Sequence, residues 1–312
     1  MPGKHWRLTW VPILVLLLAF LLRVERLAAE GLWYDEAFSA TLAGRGFREI
    51  ALGELNLPPL YNLMLGAWCR LAGWTDFAAR YLSVVCGTLV VALGGALIAL
   101  LLGNRAGVLT ALLLAVSPIE IWYAREARMY ALWAVLSLAS TVFLVRLMRG
   151  QCQRRWWAYY GLANVGAFYT HYYAALVLAA QAAWVLAHVL MTRERRFLRS
   201  WVLAQAGLGL ALLLWLPVFL PQWHAANTTY WPGRLSLAYV ATNTALGFMG
   251  ADRMAPAPFA ARLATVGCLL AVTGLFSGLW RRDTRLGAGM LLAYVAVPFL
   301  IFFALVYGRP KF

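Results

Sequence analysis

Charged residues are scarce in this chain, and acidic residues are the scarcest. Only 12% of its 312 residues are charged, 12 acids stand against 27 lysines and arginines, and 63% of the residues are hydrophobic. Soluble domains carry about 25% charged residues and about 45–50% apolar ones. The composition therefore excludes an ordinary soluble protein and predicts an integral membrane protein with several apolar spans of about 20 residues each.

Signatures of soluble enzymes are also missing. The sequence has no phosphate-binding loop, no dinucleotide-binding fingerprint and no His-Glu-x-x-His motif, which disfavours a cytosolic nucleotide as substrate. Its four cysteines lie far apart without paired spacing, so they are more typical of apolar fillers within spans than of a disulfide framework. Any substrate must be reached from the membrane or from outside.

Basic residues, by contrast, are plentiful, and the net charge is +15. In a soluble protein such a charge would indicate a nucleic-acid partner. Here the basic residues cluster in short loops between apolar segments, as the positive-inside rule of membrane proteins expects. We therefore expect the chain to contact membrane lipids and no nucleic acid.

The basic clusters also predict the topology. If every cluster faces the cytoplasm, an even number of crossings separates each cluster from the next. This parity makes Leu57–Gly73 a helix at the outer surface rather than a crossing, as its short length also favours. The prediction is an all-α polytopic membrane protein of one domain, 1–312, with the N-terminus inside, the C-terminus outside and interfacial helices in a long first outer loop, 28–79. About nine transmembrane helices are expected, at 8–27, 80–102, 106–122, 130–148, 156–171, 173–191, 201–220, 259–280 and 286–306.

On this map ten of the twelve acids lie on the outer side, in outer loops or at the outer ends of spans, and an adjacent pair, Asp35 and Glu36, lies just past the first span. An acid costs about 2.5–3.5 kcal/mol at the centre of a span, so acids this close to a bilayer call for an explanation. In a helix adjacent side chains diverge by about 100°, so one acid can face a cavity while the other caps or pairs. A surface pair at the start of an interfacial helix explains the two residues equally well.

A second group of polar residues follows the third predicted span. Tyr123, Glu126 and Tyr130 lie at positions i, i+3 and i+7, so a helix would place them on one face. Arg125 and Arg128 share another face. The pattern is typical of an ion-paired hinge, and it is equally consistent with a second acid that faces the same outer cavity as the first acid pair.

The third group, Tyr169-Thr170-His171-Tyr172-Tyr173, lies at the outer turn between two predicted spans. A lone histidine is more often a hydrogen-bonded structural residue than a ligand. The tyrosines around it also fit an aromatic belt at the membrane surface. The residues alone leave a structural role and a binding role open for His171.

In this order and spacing, the three groups resemble the GT-C membrane glycosyltransferases. The similarity is to the bacterial family-39-like branch, which is related to protein O-mannosyltransferases and to the lipid A aminoarabinose transferase. It extends over about residues 8–190. The motifs that carry it are Leu32-Trp33-Tyr34-Asp35-Glu36-Ala37, Pro58-Pro59-Leu60-Tyr61, Phe77-Ala78-Ala79-Arg80-Tyr81-Leu82-Ser83, Ser117-Pro118, Tyr123-Ala124-Arg125-Glu126-Ala127-Arg128-Met129-Tyr130-Ala131-Leu132 and Thr170-His171-Tyr172.

The resemblance implies a GT-C-type helical bundle in the cytoplasmic (inner) membrane, with its active site on the periplasmic or extracellular side. Such enzymes take a monosaccharide from a polyprenyl-phosphate donor, and the acceptor would be a glycan, a lipid or a protein. The resemblance implies Asp35 as catalytic base of an inverting transfer, with Glu36 and Glu126 as supporting acids. Some relatives hold a divalent metal near these acids, so Asp35 and Glu126 would be its ligands if one is bound.

The donor's phosphate sets a further requirement. A phosphate leaves as an anion, so cations that hold it replace a general acid. The basic residues of the outer motifs are the candidates for this role, and the motif tyrosines and histidine extend the expected site. The expected substrate-binding residues are Arg80, Arg125, Arg128, Tyr130, His171, Tyr172 and Tyr61.

Two non-enzymatic alternatives stay open. A lipid-linked-sugar transporter would share the spans and arginines, but it should carry ionisable residues at mid-span, and Leu82–Leu102 has none. A degenerate homologue that only binds glycolipid would fit Leu57, where the resembling sequences usually place His or Lys before Pro-Pro-Leu. It would also fit the abrupt end after Arg309-Pro310, where we expect the chain to be truncated.

Overall fold

A computed structural model describes residues 6–53, 57–229, 243, 257–281 and 284–307. Three of the twelve acids lie outside these described residues, and so does the Arg-Pro pair near the C-terminus. The acids concerned are Glu54, Asp252 and Asp283.

Every regular element in the described part of the chain is an α-helix, as the composition predicts. Hydrophobic runs form the long helices, and shorter helices occupy the first predicted outer loop and the segments after helix breaks. The helices are α1 Trp6–Val24, α2 Tyr34–Ala43, α3 Phe47–Gly53, α4 Leu60–Ala72, α5 Asp76–Leu102, α6 Asn104–Val116, α7 Pro118–Ala124, α8 Tyr130–Met148, α9 Arg154–Thr170, α10 Ala174–Thr192, α11 Arg195–Leu213, α12 Leu216–Thr229, α13 Ala257–Trp280 and α14 Arg285–Tyr307.

Each predicted span coincides with one helix or with one pair of helices. Four described helices (α5, α8, α10 and α14) are long and apolar enough to cross a membrane by themselves. Two bent pairs, α6–α7 at 63° and α11–α12 at 70°, raise that number to six if each pair is one span. The helix positions are thus confirmed, and the number of nine crossings stays a prediction.

The chain divides into two compact units. The first comprises 1–116, 120–174 and 200–230, and the second comprises 117–119, 175–199 and 231–312. In the first unit α5 contacts α1, α4, α6 and α8, and α8 contacts α9; in the second, α13 contacts α14. The assignment of 1–312 to one domain stays a prediction.

The first predicted outer loop contains three short helices, α2, α3 and α4. At 13 residues, α4 is about 20 Å long, too short to cross the roughly 30 Å apolar core of a bilayer. One face of α4 buries Tyr61, Leu65 and Cys69 against α5 and α8. Gly66 lets α4 approach α2, because a Cβ atom there would lie 2.3 Å from the carbonyl oxygen of Ala43.

A glycine on α5 similarly allows α7, which precedes Glu126 in the chain, to approach α5 closely. A Cβ atom at Gly87 would lie 2.3 Å from the Cβ atom of Ala124, the last residue of α7. Beside it, the fully buried guanidinium of Arg23 donates to the carbonyl oxygens of Leu114 and Ala115 at 3.0 and 3.1 Å. These carbonyls belong to the last turn of α6, where the helix leaves them without backbone donors. Arg23 therefore stabilises the break that precedes α7.

Candidate active site

The adjacent acids at the start of α2 have different surroundings. Glu36 is fully buried, and its Oε2 atom accepts a hydrogen bond from the backbone nitrogen of Trp33 at 3.2 Å, which caps the first turn of the helix. Asp35 is half-buried, and no hydrogen bond or ion pair of its carboxylate is found among the described residues. Helical geometry separates the two side chains in the first turn, so they are suited to different roles.

A buried ion pair between Glu36 and Arg80 ties α2 to α5. The Nε and Nη2 atoms of Arg80 lie 2.9 and 2.6 Å from the two carboxylate oxygens of Glu36. The remaining N–H groups of Arg80 donate to the carbonyl oxygens of Leu27, Glu30 and Gly31 at 3.0, 2.7 and 3.0 Å. All five donors of this guanidinium are therefore engaged within the fold.

This arrangement corrects two assignments made from the sequence. Arg80 was expected to bind phosphate, but it has no N–H group left to donate. Glu36 was expected to support catalysis, but it is fully buried and both its oxygens already accept hydrogen bonds. Both residues hold the start of α2 in place, because a buried carboxylate is stable only when paired and hydrogen-bonded.

The carboxylate of Glu36 also connects the two acidic motifs, namely the segment of Asp35 and Glu36 and the segment of Glu126. Oε1 of Glu36 also accepts a hydrogen bond from the backbone nitrogen of Ala127 at 2.8 Å. Asp35 immediately precedes Glu36, and Glu126 immediately precedes Ala127. One buried hydrogen bond thus joins the two backbone segments that carry these acids, 91 residues apart in sequence.

Arg128 makes a second connection between these motifs. Its Nη1 atom donates to Oγ of Ser39 at 2.7 Å and lies 3.4 Å from the carbonyl oxygen of Asp35. Its own carbonyl oxygen accepts from Oγ of Ser83 on α5 at 3.4 Å. The guanidinium of Arg128 is therefore held beside the backbone of Asp35 and adds a positive charge next to the acids.

Tyr130, the first residue of α8, follows Arg128 by two residues. Its ring lies 4.8 Å from the ring of Tyr123, centroid to centroid. The segments that carry Asp35, Glu126, Arg128 and Tyr130 therefore lie together in the first unit, and this region is the candidate active site.

His171 borders that region as a neutral side chain. Its ring lies 5.4 Å from Trp133 and 6.4 Å from Tyr130, centroid to centroid. Burial, and then the positive charge of Arg128, lower the pKa of His171 from 6.5 to about 4. The Nδ1 atom accepts from the backbone nitrogen of Tyr173 at 3.1 Å, which assigns the ring proton to Nε2. His171 is thus a neutral hydrogen-bond donor at neutral pH, and its binding role stays a prediction.

Two tyrosines of the expected site are bonded within the fold instead. Tyr61 is buried in the core and its hydroxyl lies 3.4 Å from Oγ of Ser83, while burial raises its pKa. The hydroxyl of Tyr172 donates to Oε1 of Gln222 at 2.5 Å and accepts from Nε1 of Trp215 at 2.9 Å. Tyr172 therefore fixes the turn after α9 to the bent pair α11–α12, and neither hydroxyl is available to a substrate.

Arg125 lies at the edge of the candidate site. It is half-buried, and its Nη2 atom donates to the carbonyl oxygen of Arg26 at 3.2 Å. This single hydrogen bond occupies one of its donors, and its role in substrate binding stays a prediction.

Sequence reasoning missed Ser39, which holds Arg128 by a hydrogen bond. A signal was present, because Ser39 follows Asp35 by four residues and so lies on the same face of α2. A small polar residue on the same helix face as a candidate base is a reason to expect that this polar residue has a hydrogen-bond partner near the site. The buried pair of Glu36 and Arg80 had no such local signal.

The described residues do not fit a metal held by the protein. Among them no three His, Cys, Asp or Glu side chains lie close enough to share an ion. Asp35 and Glu126 supply two carboxylates, but Nη1 of Arg128 lies 3.4 Å from the carbonyl oxygen of Asp35, and Nδ1 of His171 already accepts a hydrogen bond. The metal ligands expected from the sequence thus lack a third partner.

Comparison with known proteins gives a family. A family model described as dolichyl-phosphate-mannose-protein mannosyltransferase matches residues 56–220, more than half of the chain and the part that contains α4 to α11. A solved structure, the oligosaccharyltransferase of Archaeoglobus fulgidus in complex with zinc and sulfate, is similar at 12% identity and a TM-score of 0.41. The match covers 96% of this chain and 50% of that one, so this chain spans about half its length. No curated protein sequence matches.

Proposed function

Because the chain belongs to the dolichyl-phosphate-mannose-protein mannosyltransferase family of GT-C membrane glycosyltransferases, we propose that it transfers a monosaccharide from a polyprenyl-phosphate donor. The acceptor is a hydroxyl group of a glycan, a lipid or a protein at the outer face of the cytoplasmic membrane. One observation carries the proposal: the hydrogen bond from Ala127 to Glu36 joins the segment of Asp35 to the segment of Glu126 and Arg128.

Asp35 acts as the base in this proposal. Its carboxylate is half-buried and has no hydrogen bond or ion pair in the described part of the chain. An acceptor hydroxyl must lose its proton as its oxygen attacks, and a carboxylate within hydrogen-bond reach takes that proton. The new bond forms between the acceptor oxygen and the anomeric carbon, and the proton moves to Asp35.

The phosphate leaves in the same step. The bond between the anomeric carbon and the phosphate oxygen breaks, and its electron pair departs with the phosphate. A phosphate is stable as an anion, so no general acid is required, in contrast to hydrolysis of an ordinary glycoside. A single displacement from the opposite face inverts the anomeric carbon.

Hydrogen-bond donors around the acids suit that leaving group. Arg128 and Arg125 supply guanidinium charge, which pairs well with phosphate oxygens. His171 supplies a neutral N–H group from Nε2, and Tyr130 supplies a phenol. Glu126 acts as a supporting acid through its charge beside Tyr130. No step is routed through a metal ion.

A transfer assay with the purified protein tests the proposal. The protein is incubated with a polyprenyl phosphate that carries a radiolabelled sugar, and with candidate acceptors, in lipid vesicles. Formation of a labelled acceptor with inverted anomeric configuration supports the proposal. Movement of the labelled lipid across the vesicle membrane without product favours a transporter. Saturable binding of the lipid without product and without movement favours a glycolipid-binding homologue. Both results contradict the proposal.

A further inference from the structure

Four arginines occur between the last turn of α8 and the first turn of α9, and they have no acidic counterpart nearby in sequence; Nη2 of one of them, Arg149, donates to the carbonyl oxygen of Leu100. The stretch from Ala127 to Arg193 contains no aspartate or glutamate at all. The ion pairs of the described residues are Arg45–Glu49 and Arg80–Glu36, and so do not involve this group. The four residues are Arg146, Arg149, Arg154 and Arg155.

Two of these arginines share one aromatic ring. The Cζ atom of Arg146 lies 4.9 Å from the ring centroid of Trp156, and the Cζ atom of Arg155 lies 5.3 Å from it. Phe143 packs against the same indole at 5.8 Å between centroids. The Nε atom of Arg146 is buried and has no hydrogen-bond partner among the described atoms. Two like charges held on one ring repel each other, and a buried N–H without an acceptor is costly, so an anion would relieve both.

The position of this group specifies the kind of anion. It lies at the end of α8 opposite Tyr130, and the 19 residues of α8 span about 28 Å. That length equals the thickness of a bilayer's apolar core, which is about 30 Å. The group therefore lies at the membrane surface opposite the candidate active site, where phospholipid headgroups are present. Tyr159, which is 45% exposed and packs on Phe143, is typical of a residue at that interface.

We propose that the arginine–Trp156 cluster (Arg146, Arg149, Arg154, Arg155 and Trp156) binds the phosphodiester headgroup of an anionic glycerophospholipid. Guanidinium groups bind phosphate oxygens through paired hydrogen bonds, and the stacked indole holds two of them in place. The lipid's acyl chains would lie along the apolar surface of α8 and α9. This site is separate from the proposed sugar transfer, and neither proposal depends on the other.

A second basic group in the chain provides a matched control. Arg193, Arg195, Arg196 and Arg199 also supply four charges, but Glu194 lies among them. The cation–π contacts found in the described residues do not include this group. If basic residues act only as topology signals, the two groups should bind lipid alike.

Native mass spectrometry of the whole protein in a neutral detergent tests the proposal. Phosphatidylglycerol is titrated against phosphatidylcholine, for the wild type, for Arg146→Gln/Arg155→Gln and for the control Arg195→Gln/Arg196→Gln. We expect one tightly retained phosphatidylglycerol, and an affinity loss of at least about fivefold in the cluster variant, since one basic residue near an anionic surface contributes about that factor. The control variant should keep wild-type affinity.

Two results would overturn the proposal. One is equal loss of phosphatidylglycerol in the cluster variant and in the control. The other is competition by inorganic phosphate at the lipid's own concentration, which would make the cluster an ordinary anion site. Because Arg155 is exposed, the single variant Arg155→Gln replaces the double variant if Arg146→Gln fails to fold, and it should also weaken binding.

Discussion

The carboxylate of Glu36 accepts a hydrogen bond from the backbone nitrogen of Ala127 at 2.8 Å, while it forms a bidentate ion pair with Arg80. The bond joins the first and second acidic motifs at a buried point. The proposed base, Asp35, and the supporting acid, Glu126, each precede one end of it. The most buried acid of the site thus has a structural role, and the more exposed acid beside it is left for chemistry.

Replacing Glu36 by glutamine should destabilise the protein. Glutamine keeps the shape but leaves the charge of Arg80 buried without a counter-charge, and breaking a buried pair in this way costs about 3–5 kcal/mol. Titration of the purified protein in detergent with a denaturant measures the change in the free energy of unfolding. Glu49→Gln is the control, since its ion pair with Arg45 is exposed and should contribute less than about 1 kcal/mol. Equal stability of the two variants would show that the buried pair does not hold α2.

Ser39→Ala should weaken donor binding without abolishing transfer. The hydroxyl accepts from Nη1 of Arg128 at 2.7 Å, so its loss removes one of the contacts that position the guanidinium at the site. A hydrogen bond to a charged group contributes about 1.5–3 kcal/mol, which predicts at least a tenfold rise in the donor's KM with a smaller change in kcat. Ser140→Ala, which removes a hydroxyl bonded to the carbonyl oxygen of Ser137 within α8, should leave KM unchanged. A Ser39→Ala enzyme with wild-type KM would remove Arg128 from the binding site.

The lowered pKa of His171 predicts how the free energy of unfolding depends on pH. Its pKa is about 4 in the folded protein and 6.5 by its ordinary value, so between these pH values the unfolded chain binds more protons. Its contribution to stability is therefore complete above pH 6.5 and is lost as pH falls toward 4, by up to about 1.4 kcal/mol per pH unit. Unfolding free energies of wild type and His171→Phe, measured across this range, should differ in slope. Identical slopes would contradict a buried, neutral His171.

Gly87→Ala tests the close approach of α5 and α7. The added methyl group would lie 2.3 Å from Cβ of Ala124, and such overpacking costs about 1–3 kcal/mol. Gly161→Ala is the matched control within α9, because a Cβ atom there meets nothing within 4 Å and alanine favours a helix by up to about 1 kcal/mol. The midpoint temperature of thermal unfolding should therefore be lower than wild type for Gly87→Ala and higher for Gly161→Ala. A shift of the same sign in both would show that α7 does not contact α5 at this position.

The hydrophobic pattern predicted where helices lie but not where they break. The expected span 106–122 is two helices, α6 and α7, because Pro118 has no N–H group to continue α6 and is favoured at the first position of a new helix. The expected span 201–220 breaks likewise, ahead of Pro217 in α12. A window average of hydropathy does not register either break, since the residues on both sides are apolar.

The sequence predicted which motifs contribute to the candidate site better than it predicted the role of each residue in them. The sequence identified Asp35, Glu126 and Arg128 as candidate site residues, and the structure joins the segments that carry them, while their roles stay predictions. It also offered Glu36 and Arg80 as site residues, because an acid pair and an arginine within motifs look available for chemistry. Their pairing spans 44 residues and depends on burial, which no local pattern shows.

The sugar-transfer activity of Asp35→Asn decides whether Asp35 is the base. We expect this variant to fold with wild-type stability, since no hydrogen bond or ion pair of the carboxylate is found among the described residues. Its kcat should fall by at least about a hundredfold, because the proton has no acceptor. Glu49→Gln, an acid of the same loop, should keep full activity. An Asp35→Asn enzyme that transfers sugar at the wild-type rate would contradict the assignment of the base.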